Sequence, residues 1–305
     1  MARRRSLLRH LVVPLSMALL LGGIAGGTYV ALSTYGDRPQ AGTCVASGLG
    51  TTHRYSTEQT ANAALISAMA VDRQLPPRAA SIALATAYQE SRLENIDHGD
   101  RDSLGLFQQR PSQGWGTPEQ IMDPIYSTGA FYDALEEVPG YLDMSVNDAA
   151  QTVQRSGFPE AYADHETEGR LYASALTGRS GANLVCSLEN PSGPGLPQEV
   201  RDRLSEQFPR AVDAGRLRAE LSSDAALRAG APQGTGATAL VIDVGEDDPL
   251  GWAVANWAVA RAADDGIVQV SYGGRSWDRS IHGEDGVWRE GEDPAPGRVV
   301  VLVAG

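Results

Sequence analysis

The chain has no lysine: all 25 of its basic residues are arginine. That absence reads as a bias of a GC-rich coding sequence. Cysteine is nearly absent too. Cys44 and Cys186 are the only two, and neither lies in a C-x-x-C or metal-ligand spacing, which excludes zinc and thioredoxin-like sites. There is no G-x-S-x-G, no H-E-x-x-H and no G-x-x-x-x-G-K-[ST], so serine-hydrolase, zinc-peptidase and phosphate-loop chemistry are not expected. The five histidines are scattered. His165-Glu166 lacks a second histidine and reads as surface. Basic charge is in deficit, with a net charge of −13. Without Arg3, Arg4, Arg5 and Arg9, which precede an apolar stretch, 21 basic residues face 38 acidic ones, a balance of −17. So acidic a surface repels nucleic acid and anionic lipid, so no nucleic-acid partner is expected. No metal and no cofactor are expected either. Asp97, Asp100 and Asp102 have the look of a calcium loop, but the twelfth position counted from Asp100 is Pro111, where an EF-hand needs a carboxylate.

What is present points to two folded units with additions. The chain has 305 residues, and 42% of them are hydrophobic, enough for a buried core. Residues 11–32 form 22 uncharged, mostly apolar positions behind the basic flank MARRRSLLRH. At about 1.5 Å per residue such a stretch spans a bilayer core of roughly 30 Å. A secretory core segment is usually shorter, and no A-x-A cleavage pattern follows. The expectation is a single-pass anchor through residues 11–32, N-terminus inside the cell and the rest outside it, with cleaved secretion as the alternative. Cys44 and Cys186 bracket the central segment. In an exported chain they are expected to form a disulfide; two unrelated buried thiols are the other reading.

The expected organisation is an anchor or signal at 1–36, a tether at 37–55 and a helical domain at 56–188. A linker with a helical segment follows at 189–237, then a small α/β unit of unknown role at 238–305. Ser56 or Thr57 caps the first helix, and Pro76-Pro77 separates it from the next. Residues 78–91, RAASIALATAYQES, are apolar nearly all round, as in a helix buried on every side. Residues 118–138 and 145–177 read as further helices, broken at Asp123-Pro124 and Val138-Pro139-Gly140. Residues 198–229 read as charged and helical. Stretches 238–244, 267–272 and 298–304 read as strands, with an amphipathic helix at 251–265. Trp252 and Trp257 fall on different parts of that helix. Trp277 and Trp288 fall in loops, where packing is the first reading and glycan or partner binding the second.

Glu90 lies where the buried helix emerges. A carboxylate there is partly desolvated and keeps its proton toward neutral pH. Glu90-Ser91 is followed, fifteen residues from the glutamate, by Gly105-Leu106-Phe107-Gln108. This pattern resembles the catalytic region of lysozyme-like, soluble lytic transglycosylases (SLT-type domains), as found in actinobacterial wall-associated proteins. The resemblance covers roughly residues 56–180. Phe107 stands where the family has Met, and Asp102-Ser103 where it has Gly-Ala. FPEAYADHETEGRLY (158–172) resembles the family's Tyr-bearing helix more loosely.

The resemblance implies a mainly α lysozyme-like domain; with the anchor and C-terminal unit read above, the expected fold class is that domain preceded by a single transmembrane helix and followed by a small α/β domain. It implies an enzyme that cleaves the glycan strand of peptidoglycan, with Glu90 as both acid and base. Ser91, Gln108, Gln109, Trp115 and Tyr162 are the candidate substrate-binding residues. Each has a plainer reading, in which the glutamines satisfy loop backbone and Trp115 and Tyr162 are packed. Hydrolysis needs a second carboxylate, for which Asp100 and Asp102 are the candidates. The competing class is a catalytically silent, membrane-anchored glycan-binding or scaffold protein.

Overall fold

The computed structural model describes residues 42–48, 50–228, 236–279, 288–291 and 296–305. They belong to one compact unit spanning 41–305. It opens with strands β1 (Thr43–Gly48) and β2 (Thr51–Ser56), a tight antiparallel hairpin. β3 (Leu184–Ser187) adds to the other edge of β1, giving a three-stranded sheet in the order β2-β1-β3. Cys44 and Ala46 alternate inward along β1 and are fully buried, the period-two pattern of a half-buried strand. From Thr43 onward the expected tether at 37–55 is therefore sheet. Cys44 and Cys186 face each other in the β1–β3 register and are joined as a disulfide.

Helix α1 (Thr57–Asp72) starts at Ser56, whose hydroxyl accepts from the Gln59 amide while the Gln59 side chain returns to the Ser56 amide. Helix α2 (Pro77–Ser91) starts on proline at its first position. Every residue from Ala79 to Ala87 is buried, so the helix needs neighbours on all sides. Those neighbours are α1, α4 (Pro124–Glu136), α5 (Val146–Gln154) and α6 (Glu166–Leu176), with the short α3 (Pro118–Ile121) leading into α4. α6 runs closest. A Cβ on Gly169 would stand 2.9 Å from the Ser81 carbonyl oxygen, so only glycine permits that approach. The breaks read at Asp123-Pro124 and Val138-Pro139-Gly140 fall at helix ends, as expected.

The C-terminal part departs further from expectation. Residues 198–229, read as helical, give α7 (Pro197–Gln207), α8 (Pro209–Asp213) and then a strand, β4 (Arg218–Ser222). β4 pairs with β5 (Thr238–Asp243). Helix α9 (Asp248–Asp265) follows, then β6 (Ile267–Tyr272), β7 (Arg275–Asp278), β8 (Arg289–Glu290) and β9 (Arg298–Val303). The three strands read from sequence thus become six, all antiparallel, in the order β4-β5-β9-β6-β7-β8. Strands such as β4, exposed on most positions, carry no alternating apolar signal to read. Trp277 lies within β7 rather than in a loop, Trp288 lies in the loop just before β8, and both are buried, the packed arrangement read first for them.

Helix α9 joins this sheet to the helical part. It packs on β6 and β9, and also on α1 and α6. Asn256 at its middle donates to the carbonyls of Ala175 and Gly181 at 2.9 and 2.7 Å. Trp257 donates to the Gln207 side chain, Trp288 to the Leu184 carbonyl, and the Ala211 amide to Asp72. Within the stretch read as a linker, Gln207 and Ala211 take part in this contact.

The expected fold class is corrected accordingly. The described residues form nine α-helices with two antiparallel sheets of three and six strands, in place of a mainly α domain followed by a small α/β unit. Among the described residues no helix is long and apolar enough to cross a membrane. The single-pass membrane placement drawn from residues 11–32 is therefore without support, and that stretch lies outside the described residues.

The disulfide closes a loop with a sequence separation of 142. In the chain-entropy model a loop of this length stabilises the fold by about 4–5 kcal/mol. Replacing both cysteines by alanine is expected to remove most of that, measured as the fall in unfolding free energy in urea titrations.

Candidate active site

Two left-handed residues in succession end α2 and leave Glu90 at a corner. Arg92 and Leu93 both have φ of 59°. Their carbonyls are held from α1, by Gln59 to Arg92 at 2.9 Å and by Asn62 to Leu93 at 2.7 Å. The corner is thus fixed by side chains about thirty positions earlier in the chain. Glu90 itself is half-buried.

Its carboxylate accepts two hydrogen bonds on one oxygen. Tyr162 Oη donates to Oε1 at 2.6 Å and Gln154 Nε2 donates to the same atom at 3.1 Å. Gln154 also donates to the Phe107 carbonyl at 2.8 Å, which fixes its amide. No donor among the described residues reaches Oε2, so the proton of the acid form belongs there. Burial pushes the Glu90 carboxyl above the usual carboxylate range, while the Tyr162 and Gln154 bonds pull against it; burial wins. Burial, reinforced by Glu90, likewise raises the Tyr162 hydroxyl, so it remains a donor.

The Gly105–Gln108 loop is clasped to α2. Ser91 is buried, and its hydroxyl is shared between the Leu106 carbonyl at 2.7 Å and the Ala87 carbonyl at 3.0 Å. Gly105 has φ of 75°, and a Cβ there would lie 2.7 Å from the Ile121 carbonyl oxygen. Phe107 points into the core and stacks on Phe131 at 4.5 Å between centroids.

Glu90 opens on a groove of about 920 Å³, also lined by Gln89, Asp100, Gln108, Trp115, Gln154 and Phe158 among others. A second cavity of about 620 Å³ shares Gln113, Trp115, Gln154 and Arg155 with it, so the two adjoin along these residues. Non-glycine residues with positive φ are strained. Among the described residues six have it, and three of these, Arg101, Gln108 and Arg155, line the groove.

The residues predicted from sequence divide on this geometry. Glu90 and Tyr162 are brought together. Trp115 is half-buried and lines both cavities. Gln108 lines the groove, although its amide also bonds the His98 and Gly105 carbonyls. Ser91 is buried as a loop clasp, and Gln109 is buried with its amide on the Ser127 carbonyl. Asp100 lines the groove with a side chain 92% exposed. Asp102 is engaged by Arg110 and by the Ser112 amide, both at 2.8 Å. Bonds from Ser112 and then Arg110 hold its carboxyl below the usual range. His165, read as surface, sits between Glu168 at 2.7 Å and Gln89 at 2.8 Å. Among the described residues no cluster of histidine, cysteine or carboxylate side chains is arranged to hold a metal.

Sequence reading missed Gln154, Arg155 and Phe158. Gln154 lies 64 positions from Glu90, and no local motif marks it. Phe158 is 77% exposed, an exposed aromatic that its hydrophobicity alone would have placed in a core. No family model matches the chain, and no curated protein does.

A carboxyl raised in the fold binds its proton more tightly folded than unfolded. As pH rises above the unfolded value, about 4.3, the native state loses stability until the raised folded value is passed. Glu90→Gln, which keeps an oxygen acceptor for both donors, is expected to melt higher than wild type at pH 7. The gap should close below about pH 4. Gln154→Leu is expected to move the Glu90 titration to higher pH, read from the carboxyl carbon by NMR.

Proposed function

We propose that the chain cleaves a β-linked amino-sugar strand of the peptidoglycan type by a single-carboxylate, lytic-transglycosylase reaction with Glu90 as acid and then base. The observation that carries this reading is the half-buried Glu90 carboxyl at an open groove, with both donors on Oε1 and Oε2 left for the proton. The motif Glu90-Ser91 with Gly105-Leu106-Phe107-Gln108 supports it.

In the first step Glu90 gives its proton to the glycosidic oxygen as the bond from that oxygen to C1 breaks. An oxocarbenium-like centre develops at C1. The resulting carboxylate, steadied by Tyr162 and Gln154, then takes the proton of the sugar's C6 hydroxyl. The C6 oxygen closes on C1, giving a 1,6-anhydro end and returning Glu90 to its acid form. Water is not consumed. A hydrolytic route needs a second carboxylate to direct water. Asp102 is engaged by Arg110 and Ser112, which leaves Asp100 as the candidate for it. A disulfide-bonded chain fits an oxidising compartment, where such a strand is found.

The competing reading is a glycan-binding protein without catalysis. Incubating the protein with sacculi and resolving the products by mass spectrometry separates the two. Anhydro-muropeptides are expected from wild type, with a loss of about 10²–10⁴-fold for Glu90→Gln. Their kcat/KM should fall as pH rises through the raised Glu90 titration, since the acid form starts the reaction. Reducing-end products lost in Asp100→Asn would establish hydrolysis. Sacculus binding without any product would establish the silent reading.

A further inference from the structure

The charges lining the adjoining cavities do not cancel evenly. Three arginines line the Glu90 groove: Arg101, Arg110 and Arg155. Arg110 is paired with Asp102 at 2.8 Å, and Arg101 lies 3.8 Å from Asp100. Arg155 makes no ion pair among the described residues, in a chain whose net charge is −13. It is also the one charged residue that lines both cavities. The remaining charged group of the second cavity is Glu137.

The backbone at Arg155 is unusual for its residue type. Arg155 ends α5 in the left-handed conformation, with φ of 54°, and its amide donates to the Gln151 carbonyl at 2.8 Å. Glycine is the usual residue at such a helix end. The chain instead has an arginine here, next in sequence to Gln154, whose amide holds Glu90. Three positions on, the exposed Phe158 puts an apolar ring on the same groove. Guanidinium binds a carboxylate, as it does a phosphate, through two parallel hydrogen bonds, and the anionic substituents of a muramic-acid strand are carboxylates.

We propose that the junction of the two cavities is a binding site for a carboxylate substituent of the glycan, recognised by Arg155 with Phe158 covering the apolar part of the same substituent. This rests on the glycan reading above. The carboxylate has two sources, the lactyl group of a bare muramic acid or the peptide attached to it.

The test uses the full chain carrying Glu90→Gln, so that ligand persists. Calorimetry compares three tetrasaccharides of N-acetylglucosamine and N-acetylmuramic acid. One has free lactyl carboxylates, one carries short acidic peptides, and one has its lactyl groups capped as neutral methyl amides. One of the anionic ligands is expected to bind about five- to tenfold more tightly than the neutral one, and which one does so names the source. Arg155→Gln should abolish the preference while leaving affinity for the neutral ligand unchanged, Arg155→Lys should retain part of it, and added salt should erode it. Equal affinity for all three, or equal losses on all three in Arg155→Gln, overturns the carboxylate site and leaves the glycan reading standing. No binding of any of them overturns both.

Discussion

Helix α2 has no polar side along most of its length, so it is stable only when enclosed. That requirement shapes the region around Glu90. Small residues let α6 approach until only glycine fits at position 169, and α1, α4 and α5 close the other sides. A helix enclosed in this way brings whatever lies at its last turn to the edge of the core. Glu90 is that residue, and the turn after it is locked by Gln59 and Asn62. Close packing therefore comes first, and the desolvated carboxyl is its consequence.

Two opposing effects act on that carboxyl. Loss of water favours the neutral form, and donors favour the ion. Here the donors converge on one oxygen and burial prevails. The result is a carboxyl that holds its proton to higher pH than a fully solvated one and, once ionised, still has two donors on Oε1. Asp102 shows the contrast within the same region. Hydrogen bonds from Ser112 and Arg110 keep it an ion.

The C-terminal sheet bears on this arrangement through α9. Helix α1, which holds the corner after Glu90, lies between α2 on one side and α9 on another. Asn256 and Trp288 use polar atoms to bond backbone carbonyls of the helical part and of β3. Such bonds between apolar surfaces give register as well as stability, because an unpaired polar atom there would be penalised. The buried, hydrogen-bonded indoles of Trp257 and Trp288 are accordingly structural.

Local signals were readable where they depend on neighbours in the chain. The Ser56 cap, the proline at the start of α2, the all-round apolar pattern of 78–91 and the strands at 238–244, 267–272 and 298–304 could all be seen in the residues. So could the candidacy of Glu90, from its position and from the Gly105 spacing. The strand at 218–222 could not, because its exposed positions alternate no apolar signal. Nor could the two strands within 43–56, where Gly and Thr suggested a tether. Gln154, Arg155 and Phe158 were illegible for another reason. Their roles arise from groups some sixty positions away, brought close only when α5 packs on α2. By itself the sequence determined that a buried helix would end in Glu90, since periodicity and capping are properties of adjacent residues. Which donors meet that carboxyl, and which side chains line the groove beside it, was decided by tertiary packing, because hydrogen bonds and burial depend on distance in space and not on distance along the chain.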